Sequence, residues 1–322
     1  MENTMRACAL FALLGFASAV QAQDYPAKPI RLIVATAPGG LMDVPGRLFA
    51  DNVDRALGQR VLVENRGGAG GNLGAEAVAK AAADGYTLGL IQLGNVAINP
   101  FIFKDMSFDP LADLLPVAPL TSSPIVIGIS AKLPAANLQE FTALAKKEPG
   151  RINHGSAGPG TFPHLASELF SSMSGAKLTQ VHYKGTGPAL ADLIGGQVQV
   201  VFAGLGVLRA QAAAGNVRIL AVAQKTRLKT APDVPTAEEA GLPGYEAITW
   251  FGIVAPKGTP DRIVAALNRQ IHAMQDDPAV VKRLAEGGLD PLKETPGEFG
   301  ARIRRDYERY REVVKAAGLK PE

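Results

Sequence analysis

Within the stretch "INHGSAGPGTFPH", Ile152 to His164, stand two histidines, one serine and three glycines. Residues of these types at this density can form a phosphate cradle, a nucleophile's perch or a seat for another anion. A phosphate-binding loop ends in Gly-Lys-Ser/Thr, and Gly158-Pro159-Gly160-Thr161 has no lysine at that place. A dinucleotide fingerprint needs three spaced glycines after the first strand of a βαβ unit, which Gly155, Gly158 and Gly160 do not provide. The hydrolase elbow is Gly-x-Ser-x-Gly, whereas Ser156 directly follows Gly155. A triad of Ser156, His164 and Asp43 across a cleft, or a buried Lys184 acting as base, is conceivable, but spacing supplies none of the geometry that defines such sites. The four histidines, His154, His164, His182 and His272, lack a cysteine or acid at metal-ligand spacing, so neither a metal nor a cofactor is expected. What remains is an uncommitted anion seat.

The elements around this stretch set the seat. "PIRLIVAT", "RVLVEN", "YTLGLIQ", "PIVIGIS", "QVHYK", "QVQVVFA", "VRILAVA" and "ITWFGIVAP" read as strands, near-continuously apolar as strands buried on both faces are. Amphipathic helices such as "VPGRLFADNVDRALG", "NLGAEAVAKAAADG", "NLQEFTALAKKEPG" and "PDRIVAALNRQIHAM" alternate with them, which predicts an α/β fold with mainly parallel sheets. Glycine-rich turns fall where strands meet helices. In "TAPGGLMDVPGRLF", Gly39 and Gly40 let backbone amides approach a ligand, Asp43 is expected as N-cap with Pro45 in the first turn, and Asp43 can pair with Arg47. In "GPGTFPHLASELFSSM", Thr161 is the expected N-cap, Pro163 lies in the first turn, and Leu165, Leu169 and Met173 give a buried face. "YKGTGPALADLIGG" and "FAGLGVLRAQAAAG" repeat the arrangement, and each of the four turns exposes unpaired N–H groups at the positive end of a helix dipole. Trp250 and Phe251 are expected to pack at a domain interface, while His182 and Tyr183 fit core or site equally.

Composition narrows the classes further. The start "MENTMRACALFALLGFASAVQAQDYP" has Arg6, an apolar run from Ala7 to Val20 and small residues at Val20 and Ala22, the pattern of a secretory signal peptide covering residues 1–22. The single cysteine, Cys8, lies inside it, so the mature chain is expected to have no disulfide partner and no thiol nucleophile. Of the 322 residues, 47% are hydrophobic and 20% charged, and the net charge of +3 is dispersed among acids, with no basic block interleaved with aromatics. That argues against a nucleic-acid partner. The cluster "ARIRRDYERYREVVKAAG" alternates signs and carries Ile303, Tyr307, Tyr310 and Val314 at helical spacing, which describes a solvated helix with one buried stripe.

Several long stretches, "YPAKPIRLIVATAPGGLMD", "LGQRVLVENRGGAGGNLGAEAVAKAAADGYTL", "NHGSAGPGTFPHLASELF", "VHYKGTGPALADLIGGQV" and "WFGIVAPKGTP", together resemble the tripartite tricarboxylate transporter substrate-binding proteins, the Bug family, in the same order along nearly the whole mature chain. The resemblance implies a two-domain periplasmic binding protein of α/β fold, type II-like, with a ligand cleft between the domains. Residues 23–122 plus 250–322 would form one domain and 123–249 the other. It implies no enzyme, but a monomer that closes on a small carboxylate and passes it to a membrane permease of the tripartite tricarboxylate transporter type. An extracytoplasmic sensor for a membrane kinase, or a secreted hydrolase, are the alternatives.

For the site, the resemblance implies that Ala37, Pro38, Gly39, Gly40 and Asp43 line the cleft from one domain, and Ser156, Ala157, Gly158, Gly160 and Thr161 from the other, with His164 as a hydrogen-bonding wall. The loop after "VVF" often bears an aspartate in the family. Ala203-Gly204-Leu205-Gly206 stand there instead, so Ala203 and Gly204 imply a plain mono-, di- or tricarboxylate, aliphatic or aromatic, rather than an amino acid. The loop "QLGNVAINP" is read as a fourth wall, with Asn95 as its polar contact.

Overall fold

A computed structural model of the chain describes residues 25–36, 42–159, 161–183, 185–316 and 318. The expected leader 1–22 with Cys8, and Ala37, Pro38, Gly39, Gly40, Gly160 and Lys184, lie outside the described residues. The first part of the chain forms β1 (Ile30–Val34), α1 (Asp43–Leu57), β2 (Val61–Asn65), α2 (Asn72–Ala79), β3 (Thr87–Gln92), α3 (Leu93–Ala97) and α4 (Asn99–Ile102). The middle forms β4 (Leu114–Ser130), α5 (Leu138–Lys147), β5 (Ile152–Ser156), α6 (Phe162–Ser174), β6 (Leu178–His182), α7 (Thr186–Gly195), β7 (Val200–Gly204), α8 (Leu205–Ala213) and β8 (Val217–Val222). The last part returns through β9 (Ile248–Pro256) and adds α9 (Asp261–Asp276), α10 (Pro278–Glu286), β10 (Asp290–Pro291) and α11 (Pro296–Ala316).

Among the described residues these strands follow one path, β2-β1-β3-β9-β4-β7-β5-β6, with β8 and β10 also on β4. Pairing is parallel on the flanks, between β1 and its neighbours β2 and β3 and between β5 and its neighbours β6 and β7. It turns antiparallel in the middle, where β9 joins β3 and β4, and β4 joins β7 and β8. The 17-residue β4 is the element that spans both halves. Leu114 to Pro124 pair with β9, and from Ile125 onward the same strand pairs with β7 and β8.

Only "PIVIGIS" of β4 is legible as a strand by apolarity, because Pro116 and Pro119 interrupt the rest. Proline removes a ladder donor and sits in sheets at edges or bulges. Here the register slips between Pro116 and Ala118 and between Pro119 and Thr121, leaving Val117 and Leu120 as the extra residues. Their carbonyls are met by one helix: Asn268 donates through Nδ2 to the Val117 carbonyl (3.0 Å) and Gln275 through Nε2 to the Leu120 carbonyl (2.8 Å). Seven residues apart on α9, the two amides lie two turns apart on one face, so a single helix supports both bulges.

Local details differ from expectation in three places. Helix α1 begins at Asp43 itself with Met42 at the N-cap, so Asp43 is a first-turn acid paired with Arg47 (3.2 Å) rather than the cap. On α6 the buried apolar side chains are Phe162, Leu165, Ala166 and Phe170, while Leu169 is half-buried and Met173 is 40% exposed. The face is set by the Phe170 ring, which packs against Phe141, Phe202 and Tyr245. On β9, Trp250 and Phe251 point to opposite faces, as successive strand residues must: Trp250 packs edge-on against Phe299 and donates Nε1–H to Asp306 on α11 (2.8 Å), and Phe251 faces the site described below. The expected α11 stripe holds, with Ile303, Tyr310 and Val314 buried and Tyr307 half-buried against Phe101.

Replacing Asn268 by Leu keeps the volume and removes the donor from the Val117 and Glu294 carbonyls. Leaving buried carbonyls unsatisfied costs about 1–3 kcal/mol. Urea denaturation of N268L is expected to show a loss of that size.

Candidate ligand-binding site

A cavity of about 500 Å3 lies where the two halves meet at β4 and β9. Its floor is Ser123 and Ile125 of β4 with Thr249 and Phe251 of β9, two alternate residues from each strand, as the pleat requires. Ser123 stands opposite Thr249 in the antiparallel register. The Ser123 hydroxyl donates to the Gly288 carbonyl (3.4 Å), and the Thr249 hydroxyl is buried without a hydrogen-bond partner among the described residues.

Besides the side-chain-capped α3, four helices begin at the cavity. The N-cap residues of α1, α6, α7 and α8, namely Met42, Thr161, Gly185 and Gly204, all line it, and none of these ends has a side-chain cap. The Thr161 hydroxyl, the natural cap of α6, donates instead to the Gly158 carbonyl (2.8 Å). Apart from Pro45, Pro163 and Pro188, which have none, the first-turn N–H groups of these helices are not taken by a side-chain cap, and each helix start carries roughly half a positive charge. No described lining residue bears an ionisable side chain. The cavity is electropositive through oriented peptide groups.

Among the residues singled out from sequence, Ala157, Gly158, Thr161, Ala203 and Gly204 line the cavity. Thr36, Met42 and Pro159, which border the undescribed turn residues, line it too. Ser156, Asp43, Asn95 and His164 are not on its surface. Ser156 Oγ sits 3.1 Å from the Gly158 carbonyl and 3.2 Å from the Gly158 nitrogen, so the hydroxyl shapes its own turn. The Asp43 carboxylate accepts from Asn65 Nδ2 (3.1 Å) besides pairing with Arg47. Asn95 closes the start of α3 by a reciprocal capping box with Gln92, and its Nδ2 donates to the Gly70 carbonyl (2.9 Å). It thus holds Gln92 and Gly70, which do line the cavity.

The pattern of the Tripartite tricarboxylate transporter family receptor matches residues 46–319. Protein BugT of Bordetella pertussis is 37% identical over 310 residues, covering 96% of this chain and 95% of its own. The chain belongs to this receptor family. Among solved structures, R. palustris Rpa4515 with adipate superposes with a TM-score of 0.86 at 33% identity, over 93% of this chain and all of that one. MatC (Rpa3494) from Rhodopseudomonas palustris with bound malate gives 0.80 at 33% identity, over 90% and all of the respective chains. The fold is the two-domain α/β fold of these binding proteins, and the receptor is a solute-binding protein rather than an enzyme.

Sequence reading missed the apolar side of the receptor's cavity: Met42, Ile102, Phe103, Phe162, Val207 and Phe251. Ile102 and Phe103 end α4, just past the segment 92–100 read as a loop, and the asparagines four residues apart in "GNVAINPF" were the available signal. Asn99, four residues after Asn95, donates to the Gly70 carbonyl and lines the cavity, so the two amides grip one loop from successive turns.

Behind the α6 start the receptor buries a polar network. His154 Nδ1 lies 2.6 Å from Gln180 Oε1, Gln180 Nε2 donates to Glu168 Oε1 (2.7 Å), and the His164 and His182 rings meet edge to face at 4.9 Å. Burial lowers the His154 pKa to about 3 despite the Gln180 hydrogen bond, and burial followed by His182 lowers that of His164 to about 4. Both imidazoles are neutral at pH 7. The unfolded chain takes up these protons near pH 6.5 while the native state does not. Stability therefore falls as pH drops from about 6.5 toward 4. Urea midpoints measured between pH 6.5 and 5 are expected to show a linkage slope approaching about two protons, reduced by about one in His164→Gln.

Proposed function

We propose that the protein captures a small carboxylate, a di- or tricarboxylate or an aromatic carboxylate, in this cavity by hinge closure and delivers it to a membrane permease of the tripartite tricarboxylate transporter type. The observation that carries the reading is the convergence of four uncapped helix starts on a cavity whose described lining has no ionisable side chain. Such a surface favours an anion, and the bound adipate and malate of two relatives support a carboxylate among anions. In this reading the turn Ala37–Gly40, the turn Ala157–Thr161 including Gly160, and Ala203–Gly204 hold the ligand through backbone N–H groups.

The magnitudes are sufficient. A partly buried helix start contributes up to about 2 kcal/mol to an anion, and each hydrogen bond to a charged group about 1.5–3 kcal/mol. Four or five such bonds with two dipoles supply about 10–19 kcal/mol, which leaves the roughly −8 kcal/mol of a micromolar complex where the association cost falls in the lower part of its range of about 4–15 kcal/mol. Residues 23–122 with 250–322 act as one domain and 123–249 as the other, and β4 and β9 are the strands that bend between them. The ligand stabilises the closed state by preferring it. The protein works as a monomer in the periplasm, residues 1–22 being its cleaved leader.

Native mass spectrometry of the mature protein, followed by thermal shift with carboxylates, sugars and metal ions, tests the proposal. A carboxylate present at about one hundred times its Kd is expected to stabilise the fold by about 2.7 kcal/mol. Stabilisation by a sugar or a metal ion, with none by any acid, would overturn it.

A further inference from the structure

The cavity is asymmetric in chemistry. Three of its four uncapped helix starts, those of α6, α7 and α8, come from the middle part of the chain, bringing Thr161, Gly185 and Gly204 to one side. The side built from the first part brings Met42, Ile102 and Phe103 together with Thr36, Gln92 and Asn99, of which Asn99 donates to Gly70 and Asn72 and Gln92 shares the α3 capping box, and the floor adds Ile125 and Phe251. The floor's two hydroxyls offer little to a polar ligand, since Ser123 is bonded to the Gly288 carbonyl and Thr249 Oγ1 is out of solvent contact.

We infer that the preferred ligand is a monocarboxylate with an apolar body, aromatic or branched, whose single carboxylate sits at the α6, α7 and α8 starts while its body packs on Met42, Ile102, Phe103 and Phe251. The inference rests on the carboxylate reading above and sharpens it. Burying apolar surface of the ligand against these side chains is favourable in proportion to area. A second carboxylate directed at the same wall gives up its hydration, meets no described cationic side chain, and finds only the α1 start, whose first turn already carries the Asp43 carboxylate, so its buried charge is poorly compensated. Hydroxylated di- and tricarboxylates are therefore rejected by the wall even though the backbone seat accepts one of their carboxylates. Discrimination of this kind arises from an unfavourable contact with the wrong ligand as much as from a favourable one with the right ligand.

Isothermal titration of the mature protein with benzoate, 4-methylbenzoate, adipate, malate and citrate decides the matter. Benzoate is expected to bind at least about tenfold tighter than adipate, malate or citrate, and the added methyl of 4-methylbenzoate to tighten binding by a further threefold to fourfold, the worth of one buried methylene. Adipate, malate or citrate binding as tightly as benzoate overturns the inference and leaves carboxylate capture standing. No binding by any of the five acids overturns both.

The wall itself is tested by Ile102→Lys, a half-buried position at the end of α4 where a cation can be introduced. This variant is expected to weaken benzoate and strengthen adipate, moving their affinity ratio by at least about tenfold toward the dicarboxylate. Phe103→Lys, the next residue on the same wall and also half-buried, provides the charge if the first variant does not fold. An unchanged ratio in a folded variant shows that the ligand body does not meet this wall.

Discussion

The antiparallel pairing of β4 with β9 is the interaction on which the rest of the molecule depends. It runs from Leu114↔Pro256 to Pro124↔Ile248, and each strand pairs onward with a flank: β9 with β3, and β4 beyond Pro124 with β7 and β8. The same pairing places Ser123 opposite Thr249 and so builds the cavity floor. An extra residue bends a strand locally, and the 17-residue β4 has two, Val117 and Leu120. The freed carbonyls are recovered by Asn268 and Gln275. A bend in the strand, a pair of buried amides on α9 and the position of the binding surface are thus one connected arrangement.

Helix starts can replace cationic side chains here because the peptide groups are already fixed by the fold. A lysine or arginine must lose side-chain freedom and hydration to meet a carboxylate, whereas the amides at Gly185 and Gly204 lose little more when a ligand arrives. Their attraction also grows when water is excluded, since the same partial charges act through a lower dielectric. A neutral, backbone-lined seat therefore suits the proposed cycle of closing on an anion and opening to release it.

Supporting the seat is a layer of side chains that never reach it. Asn95 fixes Gln92 and the Gly70 carbonyl, Ser156 fixes the Gly158 turn, and Asp43 is held between Arg47 and Asn65 at the start of α1. The neutral His154 and His164 fill the space beneath α6 without adding charge near the anion seat. Geometry at a backbone site is only as well defined as the turns that present it, and these residues define the turns.

The sequence by itself determined the local features: the alternation of strands and helices, the glycine turns at the starts of α1, α6, α7 and α8, and the resemblance of long ordered stretches to the receptor family. Periodicity, turn chemistry and capping preference act over a few residues, so they are visible in one. Proline concealed most of β4, since its bulges are stabilised by α9, some 150 residues later, and no local signal announces that. Tertiary structure alone decided which polar residues face the cavity and which face inward: Asn95 and His164 have the chemistry of site residues, yet their hydrogen bonds and packing are turned to the protein. It also decided the apolar wall, because Met42, Ile102 and Phe251 look like ordinary core residues until the register of β4 on β9 leaves an open space between them.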